Sequence, residues 1–169
     1  MMSSLLVLGG ARSGKSRHAQ ARIEEVPGRL CYIATGQAFD AEMTDRIVRH
    51  REDRGPRWTT LEEPQDLAAA IAKAARDADA ILVDCLTLWV SNLMLADMSL
   101  DGPAAALCEA IRRCPIPLAL VSNEVGLGIV PENALARRFR DEAGRLNQTV
   151  AAMVDEVQFV AAGLPLRLK

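Results

Sequence analysis

Residues 5–16, LLVLGGARSGKS, decide the fold, because an apolar run passes directly into a glycine-rich loop. The loop reads Gly9-x-x-x-x-Gly14-Lys15-Ser16, which is the pattern of a P-loop. Glycine is needed there because the backbone N–H groups must approach a phosphate more closely than a Cβ atom would allow. The alternative is a glycine-rich turn without a ligand, but the strand before the loop and the amphipathic segment after it favour nucleotide binding.

Several groups in and beside this loop suit phosphate chemistry. Lys15 provides a positive charge for the β- and γ-phosphates, and the Ser16 hydroxyl can ligate Mg²⁺. A helix predicted over residues 16–25 directs its positive dipole end at the same phosphates, and Arg12 adds a second cation. The sequence therefore predicts a nucleotide-binding site.

Apolar runs alternate with amphipathic segments along the chain, which predicts an α/β fold with a mostly parallel central sheet flanked by helices. The predicted strands are residues 5–8, 30–34, 57–62, 80–84, 117–122, 156–161 and 164–168. The predicted helices are residues 16–25, 39–53, 64–77, 86–96, 104–113 and 134–154. The strand 80–84 ends on Asp84, which beside a P-loop predicts a Walker B carboxylate that holds Mg²⁺.

The composition narrows the class of protein. A length of 169 residues with half of them apolar predicts one soluble domain over residues 1–169. The net charge of −2 gives no support for nucleic acid as a partner. No apolar run is long enough for a membrane span and no room is left for a signal peptide, so we expect a cytoplasmic location without membrane insertion. Four cysteines without a C-x-x-C pair are expected to be buried thiols of a reducing compartment: Cys31, Cys85, Cys108 and Cys114.

His50 lies on the apolar stripe of the predicted helix 39–53, together with Phe39, Met43 and Ile47. Two interpretations stay open from the pattern alone: a satisfied core histidine, or a nucleophile or acid–base group that faces the nucleotide. Four arginines surround it and form either a solvated basic face or a set of cations for a phosphate chain: Arg46, Arg49, Arg51 and Arg54.

Three further segments carry open alternatives. Glu62 and Glu63 end a predicted strand and could bind a ribose or cap the next helix, and capping is favoured for Glu63. The helix 86–96 is apolar nearly all round, so it is expected either inside the core or at a subunit contact. The loop 123–133 is long and contains glycine, which is typical of functional loops.

Five segments together resemble the bifunctional adenosylcobinamide kinase and adenosylcobinamide-phosphate guanylyltransferase family of cobalamin biosynthesis. They are GGARSGKSRHA at 9–19, YIATGQ at 32–37, DAEMTDRIVRHRE at 40–52, NEVGLGIVPEN at 123–133 and ARRFRDEAGRLNQ at 136–148. The resemblance implies a RecA-like P-loop NTPase fold and two reactions. The first is phosphorylation of adenosylcobinamide by ATP or GTP. The second transfers GMP from GTP to adenosylcobinamide phosphate through a histidine-bound GMP, giving adenosyl-GDP-cobinamide and pyrophosphate.

The resemblance also implies roles for particular residues. It assigns the guanylylated histidine to His50 rather than to His18. The P-loop chemistry itself makes Lys15 the second predicted catalytic residue. The implied Mg²⁺ ligands are Ser16 and Asp84. By residue-level match, the implied GTP site comprises Gly9, Gly10, Ala11, Arg12, Ser13, Gly14, Lys15, Ser16, Ala34, Thr35, Gly36, Arg51, Glu52, Asp53, Arg54, Glu62 and Asp84.

The implied partners are adenosylcobinamide, its phosphate and further copies of this chain in a homo-oligomer, with a trimer as the expected form. Two other functions stay open: a monofunctional small-molecule P-loop kinase in which His50 is structural, and a non-enzymatic nucleotide switch.

Overall fold

The computed structural model describes residues 4–36 and 54–169, and all structural statements concern that part of the chain. The strands are β1 (Ser4–Gly9), β2 (Leu30–Ala34), β3 (Trp58–Glu62), β4 (Ala80–Asp84), β5 (Leu118–Asn123), β6 (Glu156–Ala161) and β7 (Leu164–Arg167). The helices are α1 (Lys15–Glu24), α2 (Leu67–Asp77), α3 (Leu86–Leu95), α4 (Asp101–Arg113) and α5 (Ala134–Met153).

The described strands form one seven-stranded sheet in the order β3-β2-β4-β5-β1-β6-β7. Every neighbouring pair is parallel except the antiparallel hairpin β6–β7. Ala34 is in register with both Glu62 and Asp84, and Gly9 is in register with Asn123. The predicted α/β fold with a mostly parallel sheet is therefore confirmed, and the carboxyl ends of its parallel strands share one edge.

Helices cover both faces of the sheet, which explains why the central strands are continuous apolar runs. On one face α1 packs through Ala19 and Ile23 against the alternate residues of β1, β2, β4 and β5. On the other face α2, α3, α4 and α5 enclose the larger core, in which Trp89 is 1% exposed. In the described ranges, no helix combines the length and the apolar character needed to cross a membrane.

The apolar helix α3 belongs mainly to the core. Its buried residues include Trp89, Val90 and Leu93, while Leu88 and Leu95 remain exposed. Helix α4 begins at Asp101, three residues before the predicted start. Pro103 did not delay the start, because the first turn of a helix needs no N–H from proline and a first-turn acid suits the helix dipole.

Side-chain hydrogen bonds fix α1 and the C-terminal strands to one another. Arg22 of α1 forms two hydrogen bonds with Glu156 of β6, at 3.2 and 3.0 Å, and this contact holds the pKa of the Glu156 carboxyl below its usual range.

The last residue of the chain contacts the end of α5. Lys169 donates to three carbonyl oxygens there: those of Ala151, Ala152 and Val154. Helix ends leave such carbonyls without partners, so a cation there is stabilising.

We predict that Leu82→Ala, in the centre of β4, lowers the free energy of unfolding by about 2–5 kcal/mol, because it leaves a cavity under α1. The matched control is Leu166→Ala on the edge strand β7, where the side chain is 62% exposed. That change should cost less than about 0.5 kcal/mol. Urea unfolding of both variants is the measurement, and equal losses would contradict the assignment of Leu82 to the core.

Candidate nucleotide-binding site

The P-loop connects β1 to α1 and requires glycine at two positions, at Gly14 because of its backbone angle and at Gly9 because of lack of space. Gly14 immediately precedes α1 and has a φ of 92°, in the left-handed region. At Gly9 a Cβ atom would lie 2.5 Å from the Ser13 hydroxyl and 2.6 Å from the Val160 carbonyl oxygen. Side chains are therefore excluded where the loop turns, as the sequence pattern predicts.

Two side chains of the loop are turned toward its own backbone. The Lys15 ammonium donates a 3.0 Å hydrogen bond to the Gly10 carbonyl oxygen and is almost completely buried. The Ser13 hydroxyl is buried and has no hydrogen-bond partner among the described residues. A Cβ atom on Gly9 would meet both this hydroxyl and the Val160 carbonyl oxygen, so the hydroxyl lies beside Gly9 on the side of β6.

A cavity of about 420 Å³ lies between α1 and the strands β2 and β4. It brings together three residues that the sequence assigned to the nucleotide site: Ser16, Arg54 and Asp84. The remaining described lining residues are Arg17, Gln20, Ala21, Glu24 and Tyr32. The predicted hydroxyl and carboxylate ligands for Mg²⁺ thus face one space.

Tyr32 forms the floor of this cavity, and the sequence did not single it out as a site residue. The Arg54 guanidinium lies 3.6 Å above the centre of the Tyr32 ring and donates to the Thr60 hydroxyl at 3.4 Å. Burial, followed by the nearby Asp84 carboxylate, raises the pKa of the Tyr32 phenol, which therefore stays neutral. The detectable signal was its position in β2, where the two-residue period of a strand places it on the α1 side with Asp84.

Thr35 connects the ends of β2 and β4 and is fully buried. Its hydroxyl donates to the Cys85 carbonyl oxygen at 2.7 Å and accepts from the Cys85 N–H at 2.8 Å. The Asn92 side chain of α3, which sequence reasoning missed, donates to the carbonyl oxygens of Thr35 and Pro64 at 2.7 and 3.0 Å. The Thr35 side chain is therefore engaged in holding the strand end that carries Asp84.

Two potential nucleophiles lie near the loop, the Cys85 thiol and the His18 imidazole. Burial, followed by the charge of Asp84, raises the pKa of the Cys85 thiol to about 11, so the thiolate is scarce at neutral pH. The Nε2 atom of His18 forms a short hydrogen bond with the Gln158 side chain of β6. All four cysteines are free thiols, as expected, and Cys31 and Cys85 are buried. The prediction of burial is wrong for Cys108 and Cys114, which are partly exposed in α4 and just after it.

Glu62 ends β3 beside Ala34, and it is not among the described residues that line the cavity. Glu63 accepts from the backbone N–H groups of Gln65 and Asp66 at 2.9 and 2.8 Å, just before α2. Asp66 is the N-cap of α2 and accepts from the Ala69 N–H. The capping role favoured for Glu63 is therefore wrong: Asp66 caps the helix, and Glu63 orders the segment before it.

Four residues of the predicted site lie outside the described residues: His50, Arg51, Glu52 and Asp53. The predicted helix 39–53, with its stripe and its arginines before Arg54, lies there as well. Arg54 is the first described residue after this segment, and it is 8% exposed inside the cavity wall.

A P-loop between a buried strand and a helix, with an acid at the end of a parallel strand one position removed in the same sheet, defines a P-loop nucleotide-binding protein. Within that class, residues 5–168 match the CobU family, described as "Cobinamide kinase / cobinamide phosphate guanyltransferase". The chain belongs to this family, and the resemblance seen in its sequence is confirmed.

Two relatives are similar to this protein over almost the whole chain. One is the bifunctional adenosylcobalamin biosynthesis protein CobP of Pseudomonas aeruginosa, 51% identical over 97% of this chain and 96% of its own length. Another is the bifunctional adenosylcobalamin biosynthesis protein CobU of Salmonella typhimurium, 44% identical over 98% of this chain and 99% of its own length.

Among solved structures, the VirB11 ATPase of the Brucella suis type IV secretion system, in complex with sulphate, aligns over 99% of this chain with a TM-score of 0.49 and 16% identity. This chain spans 47% of that protein, and a likeness at this level carries no argument about function.

We predict that Thr35→Val lowers the free energy of unfolding by about 1–3 kcal/mol, because the Cys85 N–H and carbonyl lose a buried partner. Thr35→Ser is the matched control, since it keeps the hydroxyl and loses one methyl, about 0.8 kcal/mol. Urea unfolding gives both values. A valine variant as stable as the serine variant would show that these two hydrogen bonds contribute little.

Proposed function

We propose that this protein phosphorylates adenosylcobinamide with ATP or GTP, and then transfers GMP from GTP to adenosylcobinamide phosphate through a covalent intermediate on His50. The observation that carries the proposal is the shared cavity of Ser16, Asp84 and Arg54 directly beside the P-loop. One nucleotide could place its phosphates on the loop and reach toward the segment that contains His50.

The kinase step asks mainly for positioning and charge stabilisation. Lys15 would neutralise charge on the β- and γ-phosphates. The acceptor hydroxyl of adenosylcobinamide would enter at the carboxyl edge of the sheet, where doubly wound folds bind their ligands. The transferred phosphoryl group then passes directly between substrates.

The residues present fit Mg²⁺ held jointly with a nucleotide. No group of three or more His, Cys, Asp or Glu side chains in the described ranges could form a complete metal cage. Magnesium does not need one, because it commonly binds one or two protein oxygen ligands together with substrate phosphates. The Ser16 hydroxyl and the Asp84 carboxylate supply those two oxygens, and the ion would offset charge on the transferred phosphate.

Chain connectivity supports His50 as the GMP carrier. His50 precedes Arg54 by four residues, so a fully extended chain puts its Cα atom within about 14 Å of the Arg54 Cα atom. Arg54 itself lines the cavity that contains Ser16 and Asp84. Among the described residues, burial disfavours the thiolate of Cys85, and the Nε2 atom of His18 already forms a hydrogen bond with Gln158.

The transfer has two displacement steps. A neutral imidazole nitrogen of His50 attacks the α-phosphorus of GTP, the bond to the bridging oxygen breaks, and pyrophosphate leaves. An oxygen of adenosylcobinamide phosphate then attacks the same phosphorus, and the nitrogen–phosphorus bond breaks. Arg51 and Arg54 would offset the negative charge that both transition states gather, with Glu52, Asp53, Glu62 and the segment 34–36 completing the GTP site.

Three further statements belong to the same proposal. One domain over residues 1–169 acts in the cytoplasm, and the protein assembles as a homo-oligomer, with a trimer as the expected form. The exposed aliphatic side chains Leu88 and Leu95 of α3 support a subunit contact.

We predict that Lys15→Ala reduces cobinamide phosphorylation by at least about 100-fold, because the methyl group cannot neutralise the transferred phosphate. Lys73→Ala on the exposed side of α2 removes the same charge far from the loop and serves as the control. Steady-state kinase assays compare the three proteins. A near-normal rate for Lys15→Ala would remove the P-loop from the mechanism.

We predict that His50→Ala abolishes covalent GMP and guanylyl transfer but keeps most of the kinase activity. The imidazole is a nucleophile only in the second reaction, whereas the γ-phosphoryl group moves directly to the acceptor. Incubation with α-labelled GTP and Mg²⁺, followed by denaturation, detects the acid-labile and base-stable adduct. His18→Ala is the matched control and should still form it.

The same assay separates the alternatives. A monofunctional kinase would phosphorylate the acceptor without any adduct, and a nucleotide switch would do neither. An adduct that persists in folded His50→Ala, verified by circular dichroism, would place the nucleophile on another residue.

A further inference from the structure

The turn of the β6–β7 hairpin contacts the P-loop, although neither β6 nor β7 belongs to the site derived above. The Gly163 N–H donates a 2.7 Å hydrogen bond to the Ser13 carbonyl oxygen. The two backbones are so close that a Cβ atom on Gly14 would lie 3.3 Å from the Gly163 Cα atom. A contact between two backbones cannot be recognised from side-chain patterns.

The conformation of the turn makes this contact available. Ala162 and Gly163 have φ angles of 51° and 79°, so both residues are left-handed. Two successive left-handed residues form the tight hairpin turn that matches the twist of its strands. The Gly163 N–H therefore projects from the tip toward the loop.

Because the peptide unit is planar, the hydrogen bond to the Ser13 carbonyl also fixes the direction of the Gly14 N–H. In a trans peptide the C=O of one residue and the N–H of the next point in opposite directions. Because Gly163 holds the Ser13 carbonyl on the hairpin side, the Gly14 N–H must point away from the hairpin. Such inward N–H groups, at the start of a helix, are the donors that bind phosphate in a P-loop.

We propose that the Ala162–Gly163 turn is a positioning element of the nucleotide site, which presets the Gly14 N–H as a phosphate donor before the ligand arrives. Gly163 acts through the Ser13–Gly14 peptide and touches no reacting atom. The proposal rests on the proposed binding of nucleotide phosphates by the P-loop.

Strand pairing and side-chain packing fix the position of the turn relative to the P-loop. Strand β6 pairs in parallel with β1, the strand that leads into the P-loop, from Leu5–Glu156 to Gly9–Val160. The Arg17 guanidinium packs against the contact, since Cβ atoms built on Gly14 and Gly163 would lie 3.9 and 3.8 Å from its Nη2 atom. The loop and the turn are therefore joined through the β1–β6 pairing and through Arg17 of α1.

Substitutions of Gly163 test the role of the turn conformation. Valine is β-branched and disfavours a positive φ, so Gly163→Val should rearrange the turn and withdraw its N–H. We expect the Kd for GTP to rise about 10- to 100-fold, the range for losing a hydrogen bond to a charged group. Asparagine tolerates the left-handed region and keeps the N–H, so Gly163→Asn should restore binding to within about threefold of wild type.

Leu164→Val at the neighbouring exposed position is the matched control, because a valine in β7 needs no change in the turn. Calorimetric titration with GTP gives Kd, and urea unfolding gives stability. A purely structural turn would lower stability without a selective change in Kd. If wild type binds no GTP, the proposed function fails; if wild type and folded Gly163→Val bind equally, only the positioning role fails.

Amide exchange in the wild-type protein supplies a test that does not depend on folding of the variant. Gly163 is exposed in a turn, yet its N–H should exchange slowly because Ser13 accepts it. Titration with GTP and Mg²⁺ should shift the Gly14 amide resonance while Gly163 stays protected. Rapid exchange at Gly163 in both states would overturn the proposal.

Discussion

The candidate site depends on one constraint, the parallel register that brings the carboxyl ends of β1, β2, β4 and β5 to the same edge of the sheet. Gly9 of β1 aligns with Asn123 of β5, and Asp84 of β4 aligns with Val121 of β5. The phosphate loop and the Asp84 carboxylate therefore follow two parallel strands that lie on either side of β5. Because α1 crosses this edge on one face, its first residues and Asp84 enclose a common cavity. The P-loop and the Asp84 carboxylate form a candidate site because the parallel strands bring both groups to the same edge of the sheet.

Buried polar contacts hold this edge in place where the apolar core ends. Thr35 and Asn92 join the ends of β2 and β4 to α3, and the Ser122 hydroxyl donates to the Asn147 side chain at 2.6 Å behind β5. A buried polar group without its partner costs more than an apolar replacement would. The strand ends therefore have little freedom, which suits a site that must fix charges before the substrate arrives.

The family to which the chain belongs combines a kinase and a guanyltransferase, and the architecture offers a physical basis for that combination. Both reactions need a polyphosphate held by backbone amides and a cation, which the P-loop provides once. They differ in which phosphorus atom is attacked. Under the proposed mechanism, His50 on the connection between β2 and β3 would add a second reaction without a second phosphate site, since that connection begins beside Asp84 and contains Arg54 of the cavity wall.

The sequence by itself determined the P-loop, the order of strands and helices, and the position of Asp84, because each follows from local spacing or from the apolar character of a buried strand. The sequence also indicated the family, since several specific segments occur in order along the chain. Only the tertiary structure decided what Tyr32, Thr35 and Gly163 do. Their roles come from contacts with Arg54, Cys85 and Ser13, of which the last lies at the opposite end of the chain. The two-residue period of β2 placed Tyr32 on the α1 side of the sheet, but it could not predict the partner of its ring. Contacts through ring stacking or through backbone atoms do not follow from hydrophobic periodicity.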